Sequence, residues 1–237
     1  MQEYTIHPLV VGANETDQGI MTYLRDYGKR IWIPIYVFYL KGGDKNILVD
    51  TGLEQFIVPD DFAETYGFDV LEFEDALATV GLRPEDVDVI IHTHLHNDHC
   101  ENDYKCSRAK VYVQRAEMAF FRNPHPIDHR YYPDVLDDVD VIEVEGDANI
   151  LDGIDVVLTP GHTVGGQSVA INTSKGKAII TGLCCNDKNF PVTGPAIAPG
   201  VHINVMEAYD SMQRIKEMAD ILIPLHDLAI GKMKSIP

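Results

Sequence analysis

The chain has 237 residues, 45% hydrophobic and 24% charged, a composition ordinary for a soluble globular protein and long enough to bury a substantial core. Its formal charge of -18, from 37 acidic against 19 basic residues, disfavours nucleic-acid partners, because tight phosphate binding rests on Lys and Arg. The longest greasy stretch, Ile31–Leu40, is only ten residues where a membrane-spanning helix needs about twenty, so no membrane partner is expected.

The N-terminal "MQEYTIHPLVVGANE" lacks a basic region ahead of a long apolar one, and the expectation is therefore a cytoplasmic protein. Four cysteines (Cys100, Cys106, Cys184, Cys185), two of them adjacent, fit reduced thiols in that compartment. The segment Gly19–Trp32 is as suited to covering its own core as to packing between the subunits of a homodimer. "IWIPIYVFYL" is rich in β-branched and aromatic residues and reads as a buried strand. "YVFYL", the turn "KGGDKN" and "ILVDTG" read as a hairpin, with Gly42 and Gly43 supplying the turn. "FEDALATVGL" (Phe73–Leu82) predicts a helix stopped at Gly81, and "RPEDVD" leads into a strand "VDVIIHT". "AKVYVQRAEMAFF" predicts a strand and then a helix starting near Arg115. "FFRNPHPIDHRYY" (Phe120–Tyr132) reads as a surface excursion, with a pocket mouth as the other reading. "DVLDDVDVIEVEGD" (Asp134–Asp147) has no basic residue and reads as a solvated acidic face or loop.

Three short strands follow in "IDVVLTP", "QSVAINT" and "KAIITG". "NVMEAYDSMQRIKEMA" (Asn204–Ala219) places Val205, Ala208, Met212, Ile215 and Ala219 at helical spacing, and "DILIPLHD" predicts a last strand. There is no repeat, low-complexity tract or linker, so residues 1–237 are expected to form one domain of the α/β (α+β) class, with helices covering packed sheets.

The chemistry concentrates in "VDVIIHTHLHNDHC" (Val87–Cys100), where His94, His96, Asp98 and His99 fall within six positions after an apolar run. Residues two apart on a strand point the same way, so His94 and His96 can share one ion. Asn97 and Asp98 are poor strand formers and Asp98 is a good helix N-cap, so a turn there aims Asp98 and His99 at a second point. His162 in "VVLTPGHT" and His226 in "ILIPLHD" also stand where apolar runs end, and strand-end loops converge on one sheet edge. The joint pattern points to metal. His7, His92, His125, His129 and His202 carry no such pattern; His92 alternates with the core side of its strand and the others fall in predicted loops.

"HTHLHNDH" matches the HxHxDH signature of the metallo-β-lactamase superfamily, and "ILVDTG", "TPGHT" and "PLHD" follow in that family's order, so the chain resembles the family along nearly its whole length. Within it, "YVFYL…ILVDTGL", "VYVQRAEMAFF" and "TPGHTVGGQSVAI" look most like the N-acyl-homoserine lactonase group. The resemblance implies a four-layer αββα sandwich of the metallo-β-lactamase type with two divalent metal ions at one edge, zinc first, with iron or manganese as alternatives. It makes His94, His96 and His162 ligands of one metal and Asp98, His99 and His226 ligands of the other. Asp50 in "VDTG" matches a position that supports the site from behind, against the plainer reading of a turn-forming Asp.

The chain departs from the family in three places. The aspartate that bridges the metals has no counterpart in "AIITGLCCNDKNF", where Leu183 or Cys184 falls at its position. Cys184 (or Cys185) as a thiolate ligand, Asp187 reaching back, and no bridge at all are the three readings left open. The lactonase tyrosine that polarises the substrate carbonyl is also missing; Asn186 or Asp187 stands there, and Asn186 could donate to an oxyanion. Cys100 follows the motif where a small residue is common. These departures bear on the substrate more than on the hydrolytic chemistry.

The implied reaction is metal-assisted hydrolysis of a small-molecule lactone or related ester, with hydroxide generated between two cations and Asp98 passing a proton to the leaving alkoxide. Thioester hydrolysis of the glyoxalase II type is a rival, weakened because eleven residues follow His226 where that group adds a helical domain. A non-hydrolytic iron-binding redox or sensor protein of the same fold is the rival from another class.

Overall fold

The computed structural model describes residues 1–132 and 134–237. Its first sheet grows from one long antiparallel pair, β1 (Thr5–Asp17) and β2 (Arg30–Lys41), joined through a one-turn helix α1 (Gln18–Met21). The sequence reading did not mark β1 as a strand, and it placed His7 in a loop although His7 lies within β1. β1 carries Pro8 and Gly12, and its register shifts between Val10 and Gly12, so its alternation is broken. Pro34 is tolerated within β2 because β3 (Ile47–Val49) pairs only with Phe38–Leu40, beyond it. After the helices α2 (Phe62–Tyr66) and α3 (Phe73–Thr79), strand β4 (Val89–Ile91) runs parallel to β3. A one-turn helix α4 (Asn97–Cys100), strand β5 (Lys110–Gln114), helix α5 (Arg115–Phe121) and strand β6 (Asp140–Val144) complete this half, in the strand order β1-β2-β3-β4-β5-β6.

The acidic stretch expected to be a loop or solvated face thus contains β6, an edge strand. Acidic residues on an edge discourage pairing with another chain. Glu143 and Glu145 instead meet Arg115, and Glu143 also meets Arg122, exposed pairs that add little stability.

The second sheet has the order β11-β10-β9-β8-β7, from β7 (Ala148–Leu151), β8 (Ile154–Leu158), β9 (Gln167–Thr173), β10 (Gly176–Ile180) and β11 (Ile221–Ile223). Helix α6 (Val205–Met218) precedes β11, and Asn204 caps it by accepting from the backbone N–H of Met206 and Glu207.

Alternation along the strands sorts their side chains into layers. Tyr36, Phe38, Leu40, Ile47, Val49, Val89 and Ile91 of the first sheet pack against Ile154, Val156, Val169, Ile171, Ala178 and Ile180 of the second. On the outer side of the first sheet, Ile35, Val37, Leu48, Ile90, Val111 and Val113 meet Phe73, Ala76 and Leu77 of α3 and Met118 and Phe121 of α5. On the outer side of the second, Val157, Ala170 and Ile179 meet Ala208, Met212 and Ile215 of α6. The result is the expected αββα sandwich, built by apolar faces that each need a covering layer. No helix among the described residues is long and apolar enough to cross a membrane.

Strand direction places the loops. β3, β4, β5 and β6 run parallel, so their C-terminal ends share one edge. β8 and β10 both run antiparallel to β9, and β11 runs parallel to β10, so these three also end together.

Candidate metal centre

Asp50, the loop His92–His99, His162 and His226 all follow these strand ends. β4 stops at Ile91, so His94 and His96 sit in a loop and not on the strand itself. His96, not Asp98, holds the N-cap position of α4, and no side chain caps it. The outcome expected of the spacing survives the different backbone. His94, His96 and His162 form one group and Asp98, His99 and His226 a second, the ligand atoms of each lying within 4.8 Å of one another. The ring centroids of His94 and His99 are 4.1 Å apart, so the two groups adjoin.

Each imidazole is held by one nitrogen and leaves the other for the centre. Nδ1 of His94 lies 3.1 Å from Thr93 Oγ1, Nδ1 of His162 is 2.9 Å from the Val201 carbonyl, and Nδ1 of His226 is 2.9 Å from the Pro34 carbonyl. His99 is held by Nδ1 on Asp50 Oδ2 at 2.8 Å, and His96 by the opposite nitrogen, Nε2, on Asp128 Oδ2 at 3.4 Å. Such outer contacts fix both the tautomer and the ring orientation of metal-binding histidines. Nε2 of His94 and of His99 are buried with no hydrogen-bond partner among the described residues, which is costly unless something else occupies those positions. A divalent cation fits that donor set: neutral imidazoles and one carboxylate, three protein ligands per ion, as zinc accepts in sites with an open position.

The electrostatics agree at three of the histidines. Burial, reinforced by the neighbouring imidazoles, holds His94 and His162 well below the ordinary histidine range and brings His226 down to about 4, so their lone pairs are free at neutral pH. Burial would raise Asp98, but His99, itself raised by Asp98 and Asp50 against its own burial, and the Arg130 guanidinium outweigh it and hold the carboxyl below its ordinary value.

Asp50 is the hub of the support. It takes a left-handed backbone conformation (φ +60°), strained for a non-glycine residue and sustained by its contacts. Its Oδ1 accepts from Thr93 N and its Oδ2 from Thr93 Oγ1, both at 2.7 Å, in addition to His99. The supporting role is thus the one the structure favours over a plain turn. Gly161 (φ +118°) lets the "TPGHT" turn lie against α6, since a Cβ there would come 2.1 Å from Ala208 N.

Three expectations change. Cys184 belongs to neither group: its thiol lies 3.5 Å from Met21 Sδ in a small apolar cluster with Ile33. Burial, with the Asp98 charge adding to it, pushes that thiol up and keeps it protonated. Asp187 pairs with Lys188 at 2.7 Å on the surface and does not reach back. Asn186 is turned away from the oxyanion role. Its Nδ2 donates to Gln18 Oε1 at 3.1 Å and its Oδ1 accepts from Lys188 N, capping a short 3-10 turn, Asp187–Asn189. Cys100 points into the outer core, its Sγ 3.4 Å from the His96 carbonyl, so it does not face a pocket.

Several contributors escaped the sequence reading. His92, taken as a plain core residue, lies between two carboxylates: Nε2 is 2.7 Å from Asp103 Oδ2 and Nδ1 is 3.3 Å from Asp50 Oδ1. Burial opposes its charge, but Asp103 and Asp50 lift it to about 10, so it is a buried imidazolium. Glu117 of α5, fully buried, accepts from Leu95 N, Gly165 N and the Tyr131 hydroxyl, tying the two histidine loops together. Asp128, Arg130 and Tyr131 come from the segment read as a surface excursion; His125, Ile127 and His129 are exposed as that reading expects, whereas Asp128 and Tyr131 are buried against His96 and Glu117.

A family model for the metallo-β-lactamase superfamily matches residues 30–182. An N-acyl homoserine lactonase of Bacillus cereus is 30% identical over 165 residues, covering 65% of this chain and 64% of that protein. A probable metallo-hydrolase of Methanocaldococcus jannaschii is 28% identical over 158 residues, 67% of this chain and 66% of its own. The matched part thus spans just under two thirds of these relatives. Among solved structures, an N-acyl homoserine lactone hydrolase with N-hexanoyl-L-homoserine at its catalytic metal centre has a TM-score of 0.76 at 23% identity, over 98% of this chain and 96% of that one. A probable metal-dependent hydrolase from Staphylococcus aureus has a TM-score of 0.72 at 20% identity, over 95% and 90%. At such identities these two likenesses show the fold.

Proposed function

The chain belongs to the metallo-β-lactamase superfamily, and from that premise we propose that it is a dinuclear metal-dependent hydrolase, a single domain over residues 1–237, that opens a lactone of the N-acyl-homoserine type or a related ester. The observation that carries this reading is the pair of adjoining three-residue groups, with two buried imidazole nitrogens left without a partner among the described residues. His94, His96 and His162 would hold one divalent cation and Asp98, His99 and His226 the other, with zinc the first choice for so many imidazoles. Two such cations supply Lewis acidity and bring water to its nucleophilic form near neutral pH.

The chain's own part is to position and to move a proton. Asp50, Asp128 and the carbonyls of Pro34 and Val201 lock the imidazole rings, so little reorganisation remains for the reaction. Asp98, with a side chain 20% exposed, stands at the accessible side of the centre. In ring opening a water oxygen bonds to the carbonyl carbon, the ring C–O bond breaks, and Asp98 carries the water's proton to the departing oxygen. The product is a hydroxy acid.

Two features favour a neutral, partly apolar substrate. The chain's charge of -18 disfavours phosphodiesters. The segment supplying the Val201 carbonyl also lines, through Ala196, Ile197 and Ala198, a mainly apolar cavity of ≈ 510 Å³ whose wall includes Tyr23, Arg25, Met206 and Asp210 but none of the six candidate ligands. That volume lies in the range of small-ligand sites. The Bacillus cereus relative named above is an N-acyl homoserine lactonase, which points to the same substrate class.

The test is metal analysis followed by a panel of acyl-homoserine lactones and simple γ- and δ-lactones, with acid release read by a pH indicator. The expected result is two divalent ions per chain and ring opening, abolished when His96 and His99 are both replaced by alanine. A metal-loaded protein that opens none of the panel removes the lactone assignment; a coloured, iron-loaded and inactive one favours redox or sensing.

A further inference from the structure

Asn186, the oxyanion donor offered by the sequence, is committed to Gln18. The segment Asp128–Tyr131 lies against His96 and Asn97 and is tied to them at three points. Asp128 Oδ2 meets His96 Nε2 at 3.4 Å, the Arg130 carbonyl accepts from Asn97 N at 2.7 Å, and the Tyr131 ring lies 4.9 Å from that of His96. Arg130 stands between two residues that touch His96 and beside the one that starts α4. Its Nε and Nη2 fork onto Asp128 Oδ1 and Oδ2, both at 2.7 Å. The opposite edge of the guanidinium, Nη1 with the second Nη2 hydrogen, meets no acceptor among the described residues, and the side chain is 37% exposed. A planar fork has just this second edge, suited to the two oxygens of a carboxylate or to one carbonyl oxygen.

We propose that Arg130 is the substrate-binding cation of the centre: its free edge takes an oxygen of the bound carbonyl compound and, after ring opening, the carboxylate of the hydroxy acid. This rests on the hydrolase reading above. Asp128 holds the other edge, so the guanidinium is oriented before any ligand arrives. A lysine in its place would offer a point charge and could not span Asp128 and a ligand with two edges.

Arg130 could instead serve only to orient Asp128, and through it His96. Two variants separate these roles, Arg130→Gln and Asp128→Asn, each compared with the wild type in metal content and in calorimetric binding of 4-hydroxydecanoate, the acid of γ-decalactone, to the metal-loaded protein. Arg130→Gln is expected to retain both metal ions and to bind the acid about tenfold or more weakly, the scale of a charge-assisted hydrogen bond. Arg130→Lys, a milder change that keeps the charge, is expected to fall between the two and guards against a misfolded glutamine variant. Unchanged affinity in both Arg130 variants, no binding by the metal-loaded wild type, or metal loss in Arg130→Gln matching that in Asp128→Asn each overturns the assignment. Binding that weakens as expected in a protein that opens no lactone leaves Arg130 in place and removes the lactone reading.

Discussion

His92 shows what a single buried charge does here. It sits between Asp103 and Asp50, and Asp103 also accepts from the Thr51 hydroxyl at 2.6 Å, so a string of side chains runs Asp103–His92–Asp50–His99 to the centre. Replacing one member of a buried ion pair strands its partners. His92→Leu is therefore expected to cost about 3–5 kcal/mol, measured by urea denaturation of the metal-free protein. The pH dependence has a definite sign. The folded-state pKa of about 10 lies above the ordinary 6.5, so the imidazolium's contribution is complete below pH 6.5 and is lost as pH rises through 10. Metal-free wild type should lose stability across that window, and His92→Leu should show less of this slope; an equal slope in both would refute the charged assignment. Cys184 is argued at the same scale. Its thiol is packed against Met21, outside both ligand groups, so Cys184→Ala is expected to leave metal stoichiometry unchanged, and loss of an ion in that variant would restore the thiolate-ligand reading.

Whole elements decide how these residues are presented. α6 covers the second sheet with Ala208, Met212 and Ile215, and its first turn lies against Gly161 of the His162 loop. The Asn204 cap fixes that turn, and Asn204 N and Ile203 N both donate to the Gly161 carbonyl. Asn204→Ala is expected to lower stability by about 1 kcal/mol, read as a shifted denaturation midpoint with an unchanged slope. Elements with one clean period were legible in the sequence: β5 and α5 change over at Arg115 as expected, and α6 fills its anticipated span. β1 was not legible, because Pro8, Gly12 and a register shift break its alternation. β4 was read as reaching the histidines but ends at Ile91, where its pairing with Val49 and Tyr112 ends.

At the scale of the molecule, two sheets bring their strand ends to one edge, and residues 50 to 226 meet there. Short local motifs disclosed the histidines and Asp98, since each sits in or beside a turn at the end of an apolar run. The supporting shell was hidden because its partners are distant in sequence: Asp50 lies 42 positions from His92, and Glu117 lies 48 from Gly165. A period-two pattern can place His92 on the core side of its strand but cannot show that the core there holds two carboxylates. Arg130 lies in irregular backbone, where no periodicity marks a side chain's direction.

Anomalous X-ray scattering from crystals of the metal-loaded protein addresses the dinuclear centre without passing through substrate. Two peaks should appear, one among His94, His96 and His162 and the other among Asp98, His99 and His226. A map with no peak at either place, or with His162 or His226 rotated away from the metal that is found, would contradict it.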